Sequence, residues 1–184
     1  SMVEMLDAML TLSQATAGIL PFAPQTKNVI SICREVFETY QDEDPTHHKM
    51  TFATDIPMLE ATFDERMLRT IVANLLLDAQ HHTADDGTIT MCICQDCQNN
   101  LTIKISDNGQ PLSDEARDHV FQPFFYHDDP LISRGTGLNM AIVSQYVEAH
   151  SGTISCENGT DGGITYTVTL PLSQTTDEHT LHPV

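Results

Sequence analysis

Basic residues are scarce in this sequence. The 184 residues include eight Lys and Arg against 26 Asp and Glu, which gives a formal net charge of −18. Such a charge repels nucleic acid and anionic lipid at long range, so we expect no nucleic-acid partner. It also means that a ligand with several phosphate groups needs helix N-termini, backbone amides or a metal cation to offset the repulsion.

Long apolar runs are missing as well. Stretches such as 75–77 fall far short of the ~20 residues that a membrane crossing needs, and no charged-then-apolar export signal opens the chain. The five cysteines are an odd number in a chain too large to need disulfides, which favours a reducing compartment. Cys92, Cys94 and Cys97 lack a fourth ligand for a soft metal, so structural cysteines are the favoured interpretation. We therefore expect a cytoplasmic protein.

The spacing of apolar residues predicts an α+β fold. Helices are expected at 2–16, about 27–40, from Asp64 onwards, near 113–120 and about 138–150. Strands are expected at 50–54, 88–94, 101–106, 153–157 and 164–170. Helices on one face of a mixed, mostly antiparallel sheet of about five strands form a two-layer α/β sandwich.

The chain divides into three parts. Residues 1–20 contain a leading helix and a linker, residues 21–172 a single folded domain, and residues 173–184 a polar tail that we expect to be disordered. The leading helix has no element of its own against which to bury its apolar stripe. We expect a piece excised from a longer parent, for which anchoring in the inner membrane stays open.

Polar residues follow one face of the helix that begins after Asp64. Asn74 and Asp78 are four residues apart, and His81 or His82 continues the stripe one turn later. One interpretation is a solvated helix face opposite the core. The other is a pair of oxygen ligands for a hard cation such as Mg²⁺, because amide and carboxylate oxygens suit that ion.

Two glycine-containing loops offer further binding groups. DNGQPL, residues 107–112, follows a predicted central strand, where loops commonly carry functional side chains. RGTGLN, residues 134–139, places glycines where a helix begins, so that backbone amides and the helix dipole face an anion. Taken singly, each loop is also consistent with an ordinary tight turn.

The order and spacing of these segments resemble the ATPase domain of histidine kinases and related Bergerat-fold proteins. The resemblance runs from about residue 29 to residue 172 and rests on five blocks: ERMLRTIVANLLLDAQHHT, ISDNGQPL, VFQPFF, RGTGLNMAIV and EAHSGTISCENGTDGGITYTVTLPL. It implies a Bergerat fold that binds ATP and Mg²⁺. The leading segment resembles the end of the helical dimerisation domain of such kinases, without the helix that bears the phosphoacceptor histidine.

The resemblance also implies roles for individual residues. The metal would be held by the helix residues Asn74 and Asp78, with catalysis assigned to the same pair. Nucleotide contacts are implied for these two and for His81, His82, Asp107, Gly109, Leu112, Phe124, Arg134, Gly135, Thr136, Gly137 and Leu138. Asp107 and Gly109 would lie at adenine, and the glycines from 135 onwards at the phosphates. Phe124 would belong to the aromatic box of a short lid, residues 126–133.

This sequence departs from the family pattern at several of these positions. Asp78 stands where the family has an asparagine, so a carboxylate replaces an amide beside the triphosphate. His81 and His82 replace a basic and an aromatic residue, and neutral imidazole is a weaker phosphate partner than lysine. Pro111 and Asn139 replace glycines, which puts lid motion in doubt.

We expect the ATP-binding domain of a sensor histidine kinase that donates the γ-phosphoryl group to a histidine on an adjoining dimerisation domain. The expected partners are ATP, that dimerisation domain and a response regulator, in a homodimeric parent. The alternative is a degenerate pseudokinase or scaffold that acts through protein contacts. A chaperone-type ATPase is disfavoured because Asn74 holds the position of the glutamate that activates water there.

Overall fold

The structure, a computed structural model, describes residues 1–125, 137–160 and 162–172. The predicted α+β two-layer sandwich is confirmed. The elements in chain order are α1 (Met2–Thr16), β1 (Gln25–Asn28), α2 (Val29–Asp42), β2 (Lys49–Thr54), β3 (Glu60–Phe63), α3 (Glu65–His82), β4 (Thr88–Gln95), β5 (Asn100–Asp107), α4 (Asp114–His119), α5 (Asn139–Ala149), β6 (Thr153–Asn158) and β7 (Ile164–Pro171).

The main sheet contains the five predicted strands in the order β2-β4-β5-β7-β6. β2 runs parallel to β4, and every other neighbouring pair in this sheet is antiparallel. Alternate residues of the central strands face the helices, as the pairs Met91–Ile105 and Ile93–Ile103 show, and all four side chains are almost completely buried. The core therefore lies between the sheet and α2, α3 and α5.

A second, two-stranded sheet was not predicted. β1 pairs with β3 in antiparallel fashion, and each strand has four residues. The sequence prediction placed Lys27 at the start of a helix, but α2 begins two residues later because the Asn28 side chain caps it, accepting a hydrogen bond from the backbone N–H of Ile30 at 3.2 Å. Strands this short hold too few residues for a periodic apolar pattern, although Ala61 and Phe63 of β3 are buried.

Asp64, the residue before α3, caps this helix and attaches it to two other segments. Asp64 accepts hydrogen bonds from the backbone N–H groups of Met67, at 3.0 Å, and Ala23, at 2.9 Å, and its own N–H donates to His150 Nε2 at 3.0 Å. Burial raises the pKa of Asp64, but these hydrogen bonds outweigh it and hold the pKa below its ordinary value. The carboxylate is therefore ionised at neutral pH.

We expect Asp64→Ala to destabilise the domain by about 2 kcal/mol, because it removes a helix cap and leaves a second backbone N–H without its acceptor. Asp64→Asn, the matched control, keeps one acceptor oxygen and is expected to lose less. Since the folded-state pKa is depressed, the stability from this carboxylate is present above its ordinary pKa and is lost as the pH falls through the folded value. Urea denaturation at pH 7 and pH 3 measures both effects, and an alanine variant as stable as the wild type contradicts the assignment.

α1 packs against α5 through a narrow part of its surface. Ala8 is buried, whereas Met2, Val3, Leu6 and Leu10 are more than half exposed. The expectation that this helix has no element of its own to pack against is wrong, because α1 contacts α5 and Ala8 is buried, although much of the apolar stripe stays exposed. None of the helices in the described parts of the chain is long and apolar enough to cross a membrane.

Candidate functional site

The polar face of α3 is partly buried rather than fully solvated. Asn74 and Asp78 are half-buried, and the buried phenol of Tyr166 on β7 donates a hydrogen bond to Asp78 Oδ2 at 2.8 Å. Burial and the Asp78 charge raise the pKa of Tyr166 well above its usual value, so the hydroxyl keeps its proton. The face that carries Asp78 therefore meets the end of the sheet.

His82 lies one turn further along the same face and is buried. Its Nδ1 donates to the Asp78 carbonyl oxygen at 2.8 Å and lies 3.3 Å from Asp78 Oδ2. Burial alone would lower the pKa of His82, but its hydrogen bond to Asp78 and the Asp78 charge outweigh burial and raise the pKa to about 9. The expectation of a neutral imidazole is therefore wrong for His82, which is positively charged at neutral pH. The neighbouring His81 is exposed.

Asp107, the last residue of β5, is held by one of its two oxygens. Asp107 Oδ1 accepts hydrogen bonds from the backbone N–H groups of Gly109, at 2.9 Å, and Ile164, at 3.3 Å. Oδ2 is buried and finds no hydrogen-bond partner among the residues that the structure describes. Burial raises the pKa of Asp107, against the hydrogen bonds and the charge of His82. An acceptor of this kind favours a ligand that donates a hydrogen bond to it.

Two glycines allow the backbone to close around Asp107. A Cβ at Gly109 would overlap the carbonyl oxygen of His82 and lie 2.8 Å from its carbonyl carbon. Gly163 has a φ of +74°, and a Cβ there would overlap the Asp107 carbonyl oxygen and lie 2.8 Å from Asn108 Cα. Residues with a Cβ therefore fit neither position without movement of the backbone.

The loops beside Asp107 are tied to β6 and α5. Leu112 is buried, and its N–H donates to Asn158 Oδ1 at 2.9 Å while its carbonyl accepts from Asn158 Nδ2 at 2.8 Å. Phe124 N–H donates to the Gly137 carbonyl at 2.8 Å, which joins the two ends of the segment 126–136. Leu138 is completely buried and precedes α5, so the first turn of α5 opens next to Gly137, which has a φ of +72°.

Phe124 meets two of the other predicted site residues, Gly137 through its backbone N–H and Leu138 in a shared groove. The side chain of Phe124 is about half exposed and lines this groove, of about 440 Å³, together with Met9 and Leu12 of α1. Three of the remaining predicted residues, Arg134, Gly135 and Thr136, lie outside the described residues. The structure therefore brings together the parts of the site that come from α3, β5 and the start of α5.

A buried contact between Asp44 and His48 supports the end of α3 beside His82. Asp44 Oδ2 accepts a hydrogen bond from the His48 backbone N–H at 2.7 Å and lies 2.8 Å from His48 Nδ1. His48 Nε2 lies 3.0 Å from the carbonyl oxygen of Thr83, the residue that follows His82. The loop after α2 is thus attached to the end of α3, a contact between residues 35 positions apart that the sequence gives no means of predicting.

Sequence reasoning missed three residues of the site: Gly163, Ile164 and Tyr166. The signal for the first was present, because two consecutive glycines precede the last strand. Tyr166 carried no signal, since a tyrosine in an alternating strand pattern is typical of a core position. The contact with Asp78 depends on how β7 packs across α3, which spacing along the chain does not give.

Among the described side chains of this site, those of Asn74 and Asp78 would bind a metal ion through oxygen atoms. No group of three or more His, Cys, Asp or Glu side chains in residues 1–125, 137–160 and 162–172 is placed to hold a metal ion, and the five cysteines are free thiols. Asn74 and Asp78 offer an amide and a carboxylate on one face of α3. Mg²⁺ is commonly bound by one or two protein oxygens together with substrate phosphates and water, so these two residues fit that ion.

A family model described as histidine kinase-, DNA gyrase B- and HSP90-like ATPase matches residues 63–174. Sensor histidine kinase ZraS of Klebsiella oxytoca is 29% identical over 133 residues, which are 72% of this chain and 28% of the relative. Sensor histidine kinase YvrG of Bacillus subtilis is 28% identical over 151 residues, which are 81% of this chain and 26% of the relative. This chain thus spans under a third of the length of either relative.

Solved histidine kinases share the fold. Full-length ShkA in complex with AMPPNP superposes with a TM-score of 0.82 at 20% identity, over 94% of this chain and 36% of that chain. The catalytic domain of histidine kinase ThkA gives a TM-score of 0.73 at 22% identity, over 83% of this chain and 99% of that domain.

Proposed function

The chain belongs to the family of histidine kinase-, DNA gyrase B- and HSP90-like ATPases, and we propose that its parent is a sensor kinase that phosphorylates a histidine on an adjoining dimerisation domain. The chain is the ATP-binding catalytic domain of a histidine kinase. The proposal for the site depends on one observation: Asp107 Oδ2 is buried and has no hydrogen-bond partner among the described residues.

Asp107 is proposed to bind the adenine base. Its Oδ1 is fixed by the N–H groups of Gly109 and Ile164, so Oδ2 has a defined direction and accepts the hydrogen bond that an exocyclic amino group donates. Gly109 lets the loop approach the end of α3 closely enough to form one wall for the base. Leu112, buried beside this loop, is proposed to pack against the base.

The metal and the phosphates are proposed to lie between α3 and the start of α5. Asn74 and Asp78 would hold Mg²⁺, which neutralises charge on the phosphates when it is bound. The backbone at Gly137 and Leu138 opens α5, where N–H groups and the helix dipole favour an anion. His81, His82 and Arg134, with Gly135 and Thr136, complete the proposed phosphate contacts. The positive charge of His82 partly offsets the acidic balance of the chain.

We base the two proposed protein partners on the exposed residues of α1 and on a solved complex of histidine kinase ThkA. The apolar residues of α1 that remain exposed support the assignment of residues 1–20 to the end of a helical dimerisation segment, in a homodimeric parent. The domain would then comprise residues 21–172. Histidine kinase ThkA has been solved in complex with the response regulator protein TrrA, which supports a response regulator as the partner of this parent.

Titration of the chain with a non-hydrolysable ATP analogue, with Mg²⁺ and with EDTA, tests the proposed site. We expect binding in the micromolar to millimolar range that weakens at least several-fold without the metal, since an acidic site needs a cation to accept a triphosphate. Isothermal titration calorimetry measures both constants. A chain that binds no nucleotide at millimolar concentration would sink the proposal and leave the scaffold alternative.

Phosphoryl transfer needs a separate test. The parent chain, with its histidine-bearing helix, is expected to incorporate radioactive phosphate from γ-labelled ATP in an acid-labile, base-stable form. Replacement of the acceptor histidine by alanine serves as the control. Nucleotide binding without any labelling of the parent would identify a pseudokinase.

A further inference from the structure

Asp78 differs from an asparagine in having two equivalent oxygens, and the two have different hydrogen-bond partners in the structure. Tyr166 donates to Oδ2 at 2.8 Å, and His82 Nδ1 lies 3.3 Å from the same oxygen. None of the residues that the structure describes donates a hydrogen bond to Oδ1. With respect to the described residues, the carboxylate therefore has one occupied oxygen and one that is available to a ligand.

We propose that Tyr166 is a positioning residue that makes Asp78 a one-oxygen metal ligand and thereby selects Mg²⁺ over Ca²⁺ in the nucleotide site. This inference rests on the proposed function, because it assumes that Asp78 holds the metal that accompanies ATP. Tyr166 itself does not touch the metal or the nucleotide.

The selectivity follows from what each ion accepts. Mg²⁺ is small, demands near-octahedral geometry and is bound by single oxygens of one or two carboxylates together with phosphates and water. Ca²⁺ takes six to eight oxygens in flexible geometry and readily accepts both oxygens of one carboxylate. An unrestrained aspartate at position 78 offers both modes. The phenol, together with His82 Nδ1 at 3.3 Å from the same oxygen, competes for the lone pairs of Oδ2 and so disfavours the two-oxygen mode that favours Ca²⁺.

Tyr166 is well placed for this role because it cannot move easily. It lies on β7, between β5 and β6, where it pairs with Ile105 and Cys156, and its side chain is completely buried. The Phe121 ring packs edge-on against it with centroids 6.2 Å apart. A donor on an interior strand holds its acceptor more rigidly than a donor on a loop does. In other proteins, residues that hydrogen-bond to metal ligands orient those ligands in the same way.

Tyr166→Phe tests the proposal, since it removes only the hydroxyl. The affinity of a non-hydrolysable ATP analogue is measured by calorimetry in Mg²⁺, in Ca²⁺ and in EDTA. In the wild type we expect tighter binding with Mg²⁺ than with Ca²⁺. In the variant we expect the Mg²⁺-supported affinity to fall about tenfold and the Ca²⁺-supported affinity to rise a few-fold, while the metal-free affinity stays within about twofold of the wild type.

Tyr146→Phe is the matched control. Tyr146 is also buried, and it lies on α5 with its ring near Arg66, at 5.9 Å, away from Asp78. This change also removes a single tyrosine hydroxyl and is expected to leave the ratio of the Mg²⁺ and Ca²⁺ affinities unchanged. A purely structural role for Tyr166 would lower all three affinities together, and thermal unfolding of both variants measures that effect.

The outcomes separate the inference from the proposed function. Absence of nucleotide binding by the wild type overturns the proposed function and the inference together. Nucleotide binding by the wild type with equal support from Mg²⁺ and Ca²⁺ overturns the inference alone, and this result requires no variant. An unchanged Mg²⁺ preference in folded Tyr166→Phe also overturns it.

Discussion

Asp107→Ala is expected to weaken ATP binding by roughly 100-fold or more, the largest effect of any single side chain in the proposed site. The substitution removes the buried acceptor Oδ2 and leaves a donor on the base without a partner, which costs about 1–3 kcal/mol. It also removes the acceptor of the Gly109 and Ile164 N–H groups, so the loop that forms the wall of the pocket loses its anchor. Each 1.4 kcal/mol corresponds to about tenfold in affinity.

Asp107→Asn separates these two contributions. Two backbone N–H donors require an oxygen at the Oδ1 position, so the amide nitrogen takes the place of Oδ2. The variant is expected to fold like the wild type but to present a donor where adenine also presents one. Inosine triphosphate, which has a carbonyl in place of the amino group, is expected to bind Asp107→Asn better than ATP does.

Competition between ATP and inosine triphosphate for a fluorescent nucleotide analogue measures this preference in the wild type and in both variants. The wild type is expected to favour ATP and Asp107→Asn to favour inosine triphosphate, with circular dichroism and thermal unfolding as the controls for folding. If Asp107→Ala bound ATP with unchanged affinity, the adenine pocket would have to lie elsewhere.

The fold was predictable where apolar side chains repeat over several turns or strand residues. The five strands of the main sheet and the helix that begins after Asp64 were found within a few residues, because each buries a continuous apolar face. β1 and β3 were missed because each has only four residues, and the two buried side chains of β3, Ala61 and Phe63, are too few to form a periodic pattern. Their pairing is fixed by tertiary contacts, including the hydrogen bond from the Leu59 N–H to the side chain of Asn28.

Within the candidate site, only the residues that lie close together in the sequence could be predicted to act together. Residues that share a motif, such as Asp107 and Gly109, were assigned together from sequence, and the structure links them by a hydrogen bond. Contacts between motifs were not predictable: the sequence suggested a neutral His82, whereas its approach to Asp78 gives it a charge at neutral pH. The pKa of a side chain depends on its neighbours in space, which one sequence without its fold does not specify.

Gly163→Ala is expected to destabilise the domain by about 3 kcal/mol or more and to abolish nucleotide binding. The φ of +74° alone costs a residue with a Cβ about 1–2 kcal/mol. The added methyl group would also overlap the carbonyl oxygen of Asp107. Because this oxygen is a backbone atom, no side-chain rotation can move it aside. Relief of this overlap has to displace Asp107 or Ile164, and the hydrogen bond from the Ile164 N–H to Asp107 Oδ1 would be broken. A chain of this size loses roughly 2–4 °C in melting temperature for each kcal/mol.

Gly18→Ala is the matched control, because Gly18 has nearly the same φ, +73°, but a Cβ there would meet nothing within 4 Å. It is expected to cost only about 1–2 kcal/mol, the strain of the backbone conformation, and to leave nucleotide affinity unchanged. The difference between the two variants therefore isolates the close approach of Gly163 to Asp107. Equal losses of stability in thermal unfolding, together with intact ATP binding by Gly163→Ala, would show that the close approach of Gly163 to Asp107 is not needed for the adenine pocket.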